Sequence, residues 1–268
     1  MIKMIATDID GTMLRSDRSL STKVRRSLWA AEEAGIHVVP ATGRPMTVAT
    51  EVIDALGLPG YWVFSNGAIT FHAGNDEVLR GYWIDHSTVS WVITALRSAI
   101  PDVEFALEGD RSAVHEAGFR TVVPTVPDSY RTTKVGDVTD HFPDRIQKVL
   151  VFRPDVDIED LYARVSDVTR DKVVASYSGM NFVELSASFV TKARALAELA
   201  TQLGIDQSEV AAFGDNHNDI PMLEWAGQSY AMGNASIDAK ESADHVIKTN
   251  DEDGLAQAVD RLVEQALQ

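Results

Sequence analysis

Short apolar segments alternate with amphipathic helical patterns at both ends of the chain, and this order constrains the fold more than any other feature. The amino-terminal end predicts strands and helices in the order 2–7, 21–34, 36–40, 46–56 and 61–65. From Val190 onward the alternation returns and continues to a final helical pattern at 253–266. Strands that are apolar throughout and separated by helices are typical of a parallel sheet covered on both faces. We therefore expect an α/β core.

The middle of the chain breaks this alternation. After a hairpin pattern at 68–82, a helix at 86–100 is followed mainly by strand patterns, with a further helix at 158–169. The segment 118–143 gives no clear pattern. The simplest organisation is an α/β core in two sequence halves, with a smaller α+β domain inserted at roughly 84–187.

The balance of charge limits the partners that the chain can bind. Its 268 residues include 24 basic and 40 acidic side chains, which give a formal net charge of −16. A chain this acidic repels the phosphates of nucleic acids and of anionic membranes at long range. We therefore expect neither as a partner. One small phosphate in a locally positive pocket remains compatible with this charge.

The absence of cysteine and of long apolar segments bears on where the protein works. Without cysteine there are no disulfides, thiolate zinc sites or cysteine nucleophiles, which fits a reducing compartment. Asp8 comes too early for the apolar region of a signal peptide, and the longest run without charged residues, 55–75, is interrupted by glycines and a proline. We expect a soluble, cytoplasmic protein.

Clusters of carboxylates, hydroxyls, amides and glycines directly follow the predicted core strands. They are Asp8-Ile9-Asp10-Gly11-Thr12, Ala41-Thr42-Gly43-Arg44, Ser65-Asn66-Gly67 and Gly214-Asp215-Asn216-His217-Asn218-Asp219. In an open parallel sheet, ligands bind outside the carboxyl ends of the strands. We therefore expect these clusters to share one site.

The donor types in these clusters suit phosphoryl transfer. Carboxylate oxygens of Asp8, Asp215 and Asp219 would hold a hard cation, for which Mg²⁺ is the usual choice. With the metal screening its charge, one carboxylate can attack phosphorus and form an aspartyl-phosphate. The phosphate oxygens then need donors, and the candidates are Thr42, Lys192 and the backbone amides near Gly11 and Gly43.

Structural roles explain several of these residues when each is taken alone. Asp-x-Asp-Gly at a strand end is also typical of a solvated turn, and Asn66-Gly67 is a good turn former. Lys192 at a helix start is also typical of a surface charge, and Asp219 suits a helix N-terminal cap. We interpret His217 as an exposed turn residue. The joint placement of the clusters at strand ends favours a shared site.

As a set, these segments resemble the motifs of the haloacid dehalogenase-like phosphatases. Asp8-Ile9-Asp10-Gly11-Thr12 resembles the first motif, and Thr42 within Ala-Thr-Gly-Arg the second. Lys192 resembles the third motif and the segment 214–219 the fourth. The stretch around Lys192 lacks the Pro and Gly that often flank the lysine of this family.

The resemblance extends to the Cof-type branch of that family. Met232-Gly233-Asn234-Ala235 and Asn250-Asp251-Glu252-Asp253-Gly254 are similar to segments of this branch, and so is the long insertion between the second and third motifs. The resemblance implies a Rossmann-like parallel-sheet core at 1–83 and 188–268, with an inserted α/β cap of type IIB at 84–187. The cap is the expected site of substrate choice.

The resemblance also implies a role for each site residue. Asp8 is the expected nucleophile, and Asp10 is the acid that protonates the leaving oxygen and then the base that activates water. Mg²⁺ is expected on Asp8, the backbone carbonyl of Asp10, and Asp215. The other implied site residues are Thr42, Gly43, Lys192 and Asn218 at the phosphoryl group, Asp219 in support of the metal or the lysine, Gly11 beside the nucleophile, and Arg44, Asn66 and Gly67 at the entrance.

These expectations describe a Mg²⁺-dependent phosphatase that acts on a small phosphorylated metabolite, such as a sugar phosphate. A sugar phosphomutase of the same family is an alternative, and it calls for basic residues in the cap because a mutase must reorient a bisphosphate. The insert has only scattered basic residues, such as Arg111, Arg120, Arg131 and Lys134. A phospho-accepting signalling domain is the alternative from another class, although receivers are much shorter. The sequence predicts neither the particular substrate nor the oligomeric state.

Overall fold

The structure is a computed structural model that describes residues 1–109, 112–121 and 132–268. Contacts within the chain divide it into two compact units. The first comprises 1–44, 49–81 and 191–268, and the second comprises 45–48 and 82–190. Residues 45–48 thus group with the second unit, whereas the sequence analysis places them in the core. The roles of the two units as catalytic core and cap stay predictions.

The described residues form strands and helices in alternating blocks. In chain order, the strands are β1 (Met4–Thr7), β2 (His37–Pro40), β3 (Tyr61–Phe64), β4 (Ile69–His72), β5 (Glu77–Gly81), β6 (Glu104–Gly109), β7 (Ser112–His115), β8 (Thr132–Val135), β9 (Ile146–Phe152), β10 (Val173–Ser176), β11 (Val183–Ala187), β12 (Val210–Gly214), β13 (Gln228–Ala231) and β14 (His245–Val246). The helices are α1 (Thr22–Glu33), α2 (Met46–Leu56), α3 (His86–Ala99), α4 (Ile158–Thr169), α5 (Lys192–Leu203), α6 (Ile220–Trp225), α7 (Ile237–Glu241) and α8 (Gly254–Ala266).

The first unit contains a parallel sheet with the strand order β14-β13-β12-β1-β2. β1 pairs with β12 on one side and with β2 on the other, so that Thr7 lies opposite both Phe213 and Pro40. β1 and β12 are buried along their whole length, as expected for strands covered on both faces. The residues that follow these strands therefore emerge at one edge of the sheet. The predicted α/β fold class is confirmed.

The third predicted strand lies in a different sheet from the one that the sequence suggests. β3 pairs antiparallel with β4, and β4 with β5, in a separate three-stranded sheet. It meets the continuation of β2 at a parallel bridge between Ala41 and Val63, where the amide of Thr42 donates to the carbonyl of Val63 at 2.9 Å. Pro40, the last residue of β2, has no N–H with which to extend a ladder.

Helices α1 and α8 pack together, and α1 also contacts β2. α1 begins after Ser21, whose hydroxyl accepts a hydrogen bond from the amide of Val24 at 3.1 Å. Val24, Leu28 and Ala31 form its buried face, which follows from their spacing of three or four residues. The burial of this apolar face, rather than helix propensity, accounts for most of the stability of such a helix.

The second unit is an α+β domain around a six-stranded sheet of order β10-β11-β9-β6-β7-β8. Its strands pair antiparallel, except that β7 and β8 are parallel. Helices α3 and α4 pack against each other, and α4 also contacts β10 and β11. A cluster of buried apolar side chains adds to this core: Ala106, Phe119, Leu150, Phe152 and Phe182. The predicted α+β character of the insertion is confirmed.

The segment 118–143, which gives no clear pattern in the sequence, contains β8 and a short 3₁₀ turn at Val138–Asp140. Arg111 and Arg131, two of the basic residues considered for a mutase, lie outside the described residues. The side chains of Arg120 and Lys134 lie outside them as well.

The helices in the described ranges are short, and α3, with 14 residues, is the longest of them. A membrane-spanning helix needs about 20 predominantly apolar residues. No helix of the described part of the chain has the length and apolar character to cross a membrane.

Replacing Leu28 by Ala tests the packing of α1. Leu28 is fully buried, so Leu28→Ala should lower the free energy of unfolding by about 2–5 kcal/mol, from lost burial and the cavity left behind. Arg26 lies on the exposed face of the same helix, and Arg26→Ala should change the free energy by less than about 0.5 kcal/mol. Urea unfolding followed by circular dichroism measures both. Equal effects of the two substitutions would contradict this packing.

Candidate active site

Asp8 directly follows β1 in the parallel sheet. Its amide donates to the carbonyl of Phe213 on β12 at 2.9 Å, which continues the parallel pairing beyond the end of β1. Asp215 follows β12, so the two carboxylates come from neighbouring strands at the same sheet edge. Both side chains are buried. This is the edge at which the sequence predicts a site.

Lys192 is the first residue of α5, and its ammonium group lies between two carboxylates. Its Nζ donates to Oδ1 of Asp8 at 2.5 Å and to Oδ1 of Asp219 at 2.7 Å. The helix begins here because the hydroxyl of Thr191 caps it, accepting a hydrogen bond from the amide of Arg194 at 3.1 Å. Lys192 is fully buried, and its carboxylate partners are what make a buried ammonium tolerable.

Asp219 has a structural role in addition to its contact with Lys192. Its Oδ2 accepts hydrogen bonds from the amides of Asp215 and Asn216 at 2.9 and 3.0 Å, which completes a capping box with Asn216. Gly214 permits this close turn, since a Cβ at that position would lie 2.5 Å from the Cβ of Asp219. The side chain of Asp219 therefore closes the turn that precedes α6 without capping α6 itself, and it also takes part in the site.

Asp215 is held by the loop that follows β1. The hydroxyl of Thr12 donates to Oδ1 of Asp215 at 2.8 Å, and Thr12 is buried. Gly11 passes so close that a Cβ there would lie 2.3 Å from Oδ2 of Asp215. Its φ of +83° is also in the left-handed region, so a larger residue is excluded at this position on two grounds.

Thr42, Asn66 and Asn218 form a second, connected group. The amide of Asn66 donates to the carbonyl of Thr42 at 3.0 Å, and Nδ2 of Asn218 donates to Oδ1 of Asn66 at 3.0 Å. The hydroxyl of Thr42 accepts from the amide of Arg44 at 3.0 Å. Asn66 adopts a left-handed conformation with φ of +56°, which asparagine tolerates better than most residues. Gly43 lies half-buried within this loop.

Asp10 pairs with Arg44 in a two-point contact. Nε of Arg44 donates to Oδ2 of Asp10 at 2.6 Å, and Nη2 donates to Oδ1. The Asp10 side chain is the exposed member of the pair. A guanidinium fork fixes the plane of a carboxylate as well as its position. The arrangement therefore orients the carboxylate that follows the nucleophile candidate by two residues.

Three buried carboxyl groups lie close to one lysine, so ionisation of all three would leave net negative charge in the site. Burial raises the pKa of Asp8 well above its usual range, opposed by Lys192 and assisted by Asp219 and Asp215. Burial likewise raises the pKa of Asp215 to about 7, with a further contribution from Asp219. Burial alone would lower the pKa of Lys192, but the two carboxylates outweigh it and the pKa is raised. The lysine is therefore protonated, and the acidic groups still need positive charge.

A divalent cation fits this set of donors. One carboxylate oxygen from each of Asp8, Asp215 and Asp219 lies within 4.8 Å of the others, and all three residues are buried. Oxygen donors without nitrogen or sulfur are the ligands that Mg²⁺ prefers. Both oxygens of Asp219 already accept hydrogen bonds, from Lys192 and from backbone amides, so it suits support of the site better than direct coordination.

The sequence profile of the haloacid dehalogenase-like hydrolases matches residues 5–259, which include every residue of this site. The chain belongs to this family. The relatives that match over nearly the full chain are named as phosphatases, which supports the same enzyme class here. The match is also much longer than a receiver-type signalling domain, the alternative from another class.

Relatives and solved structures agree over nearly the full chain. A protein of Bacillus subtilis (strain 168), named as a 5-amino-6-(5-phospho-D-ribitylamino)uracil phosphatase, is 31% identical over 96% of this chain and 94% of its own length. The solved structure of SMU.1108c from Streptococcus mutans UA159 matches with a TM-score of 0.87 and 25% identity, covering 98% of this chain and 100% of that one. A sugar phosphatase described as subclass IIB, BT4131, shares the fold with a TM-score of 0.81 at 23% identity, covering 97% and 98%.

All the site residues that the sequence predicts lie in the first unit. Asp8, Lys192, Asp215 and Asp219 come together as one buried group, while Asp10 with Arg44, and Thr42 with Asn66 and Asn218, form two further groups. The catalytic and binding roles of these residues stay predictions.

Two residues of the site, Thr12 and Asn234, are not assigned to it from the sequence. Thr12 closes the first motif but is not assigned a contact there, although its place four residues after Asp8 was a usable signal. Asn234 lies in a segment noted only for its resemblance, and it donates to the carbonyl of Gly11 at 2.8 Å. His217, interpreted as exposed, is instead half-buried, and this burial lowers its pKa.

Replacing Lys192 by Met tests the central buried charge. Lys192→Met should abolish turnover of an aryl phosphate and lower the free energy of unfolding by about 3–5 kcal/mol, because it leaves two buried carboxylates without their cation. Lys3→Met is the matched control, since Lys3 forms an exposed pair with Glu209, and it should cost less than about 1 kcal/mol. Urea unfolding and phosphate release measure the two effects. A Lys192→Met protein with unchanged stability would show that the buried pairs are not as described.

Proposed function

We propose that this protein is a Mg²⁺-dependent phosphatase that hydrolyses a small phosphorylated metabolite, a sugar phosphate or a similar compound, through an aspartyl-phosphate on Asp8. The observation that carries the proposal is the buried group in which Lys192 joins Asp8 to Asp219 beside Asp215. A carboxylate fixed by a lysine at a sheet edge is oriented for attack before the substrate arrives.

In the first step, a carboxylate oxygen of Asp8 attacks phosphorus as the bond from phosphorus to the ester oxygen breaks. The leaving oxygen takes a proton from the carboxyl group of Asp10. Asp10 suits this role because its side chain is exposed, while Asp8 and Asp215 are buried. The two hydrogen bonds from Arg44 orient Asp10 as a carboxylate, the form that acts as the base in the second step, and one of them must open for Asp10 to carry the proton of the first step.

In the second step, Asp10 has become a carboxylate and accepts a proton from a water molecule. The water oxygen attacks phosphorus, the bond from phosphorus to Asp8 breaks, and inorganic phosphate leaves with Asp8 restored. Acid–base assistance of this kind contributes about 10²–10⁴-fold to a rate. Asp10 thus acts in both steps, once as a proton donor and once as a proton acceptor.

The transferring phosphoryl group spreads negative charge over its oxygens and needs donors around them. Lys192 supplies a full positive charge beside Asp8. The hydroxyl of Thr42 accepts from the amide of Arg44, so the hydroxyl proton is available for donation to a phosphoryl oxygen. Gly43 and Asn218 are the further proposed ligands of this group, and Asn66 positions Asn218.

Asp8, the backbone carbonyl of Asp10, and Asp215 are the proposed ligands of Mg²⁺, with Asp219 in support. When bound, Mg²⁺ neutralises the excess negative charge and polarises the phosphoryl oxygens. The buried carboxylates support this assignment, since the pKa values of Asp8 and Asp215 are raised where positive charge is short. Thr12 keeps Asp215 in place through its hydroxyl.

The substrate class rests on charge and on relatives. A net charge of −16 disfavours nucleic acid and anionic membranes, whereas a small phosphate needs only the local donors of the site. The Bacillus subtilis relative is named for a phosphorylated small molecule. The second unit is the proposed cap that selects among substrates. A panel of phosphorylated metabolites, assayed for released phosphate, would identify the substrate class, and isomerised product without phosphate release would favour the mutase.

Asn substitutions at Asp8 and Asp10 test the mechanism as a matched pair. Asp8→Asn should abolish turnover, because the amide is nearly the same size but is a poor nucleophile. Asp10→Asn should still accept phosphate from a good leaving group but should hydrolyse the intermediate about 10²–10⁴-fold more slowly. Mass spectrometry of the intact protein should then show a phosphate adduct on Asp10→Asn and none on Asp8→Asn. Substantial turnover by Asp8→Asn would exclude the covalent mechanism.

Metal titration tests the proposed cofactor. Metal-free protein should gain turnover with Mg²⁺ and not with Ca²⁺, because calcium prefers more ligands and a looser geometry, which misaligns the nucleophile and phosphorus. Thr12→Val removes the hydrogen bond to Asp215 and should raise the Mg²⁺ concentration for half-maximal rate by about 10–100-fold. Thr12→Ser retains the hydroxyl and should behave like the unsubstituted protein. Equal rates with both ions would count against this site.

A further inference from the structure

The segments Met232–Ala235 and Asn250–Gly254, noted in the sequence, take no part in the mechanism above. In the structure, both lie against the loop that follows β1. Nδ2 of Asn234 donates to the carbonyl of Gly11 at 2.8 Å, and Oδ1 of Asn234 accepts from the amide of Asn250 at 3.0 Å. Nδ2 of Asn250 donates in turn to the carbonyl of Leu14 at 2.9 Å. The two asparagines therefore hold residues 11–14 at both ends.

The loop at 11–14 also has hydrogen bonds of its own, from the amides of Met13 and Leu14 to the carbonyl of Ile9 at 3.0 and 2.8 Å, but these bonds span the Gly11 peptide rather than reach it. Gly11 has a φ of +83°, a region that glycine enters readily and leaves as readily. The carbonyl of Gly11 and the amide of Thr12 belong to one planar peptide group, so a hydrogen bond to the carbonyl also orients the amide. The hydrogen bond from Asn234 thus fixes the orientation of the peptide group between Gly11 and Thr12. Gly11 directly follows Asp10, and Thr12 holds Asp215.

The same segment of chain also restrains Asp215 directly. The amide of Ser236 donates to the backbone carbonyl of Asp215 at 2.9 Å, and the amide of Met232 donates to the carbonyl of Gly214 at 3.0 Å. Asn234 lies between these two contacts in the sequence. One loop after β13 therefore sets the spacing between the Asp10–Thr12 segment and Asp215.

We infer that Asn234 is a positioning residue for the phosphatase reaction, acting through the Gly11 carbonyl to hold Asp10 and Thr12 in register with Asp215. This inference rests on the proposed function for its catalytic consequence. Asn234 is exposed, whereas Asn250 is buried, so a substitution at Asn234 leaves no cavity in the core. An effect of Asn234 on turnover would therefore reflect geometry at the site more than a loss of packing.

The test compares Asn234→Ala and Asn234→Asp with the control Asp251→Ala. Asn234→Asp retains the acceptor for the amide of Asn250 but cannot donate to Gly11. Asp251 also links the carboxyl-terminal part of the chain to the segment that follows β1, but at an exposed position away from Gly11. It accepts hydrogen bonds from the amide and the hydroxyl of Ser16 at 3.0 and 2.8 Å. The readouts are kcat and KM for p-nitrophenyl phosphate at saturating Mg²⁺, calorimetric Mg²⁺ binding, thermal unfolding, and hydrogen exchange of the peptide covering residues 9–14.

Both Asn234 variants should lose about 10–100-fold in kcat or in Mg²⁺ affinity, as is typical when the support of a metal site is removed. Hydrogen exchange at 9–14 should accelerate in both, while melting temperatures stay close to that of Asp251→Ala. Asp251→Ala should keep the kcat and Mg²⁺ affinity of the unsubstituted protein. Unchanged kcat, metal affinity and exchange in the Asn234 variants would overturn the inference, as would an equal loss in Asp251→Ala. Absence of Mg²⁺-dependent turnover in the unsubstituted protein would instead overturn the proposed function, and exchange at 9–14 would still report on Asn234.

Discussion

The contact of Lys192 with Asp8 and Asp219 is the interaction on which the rest of the site depends. It brings together three separate parts of the chain, namely the end of β1, the start of α5 and the turn after β12. A buried ion pair is weak evidence for stability, because desolvation offsets much of the attraction. Losing one partner is costly, however, since the remaining charges stay buried. The contact therefore specifies an arrangement of these segments more than it strengthens the fold.

Electrostatic repulsion explains why this arrangement needs so much support from neighbouring residues. Two unit charges 4 Å apart interact by about 4 kcal/mol at an effective dielectric constant of about 20. The carboxylate oxygens of Asp8, Asp215 and Asp219 lie within 4.8 Å of one another, with one lysine among them. Hydrogen bonds to these carboxylates oppose their separation. The hydroxyl of Thr12 donates to Asp215, and two backbone amides of the turn after β12 donate to Asp219.

Sequence reasoning predicts the features that are encoded locally and misses those that depend on pairing across the chain. The periodicity of Val24, Leu28 and Ala31 predicts α1, and the polar clusters after apolar runs predict the sheet edge of the site. The sequence predicts β3 as a further strand of the parallel sheet, because an apolar segment does not show which strand it pairs with. The contacts of Thr12 with Asp215 and of Asn234 with Gly11 span 203 and 223 residues, and a local pattern that singles out one residue of such a pair does not identify its partner.

The long-range hydrogen bonds also explain how a segment that contains glycine can serve a site that needs fixed geometry. Close approach of the chain to Asp215 requires glycine at position 11, because any Cβ would collide with the carboxylate. Glycine brings conformational freedom, which works against the alignment of Asp10 and Thr12 on either side of it. The amides of Met13 and Leu14 close the turn on the carbonyl of Ile9, and a side chain anchored on a separate segment adds a restraint at Gly11 itself without occupying the space beside Asp215. Gly11 leaves room for the carboxylate of Asp215, and Asn234 restrains the backbone at the position where a side chain would not fit.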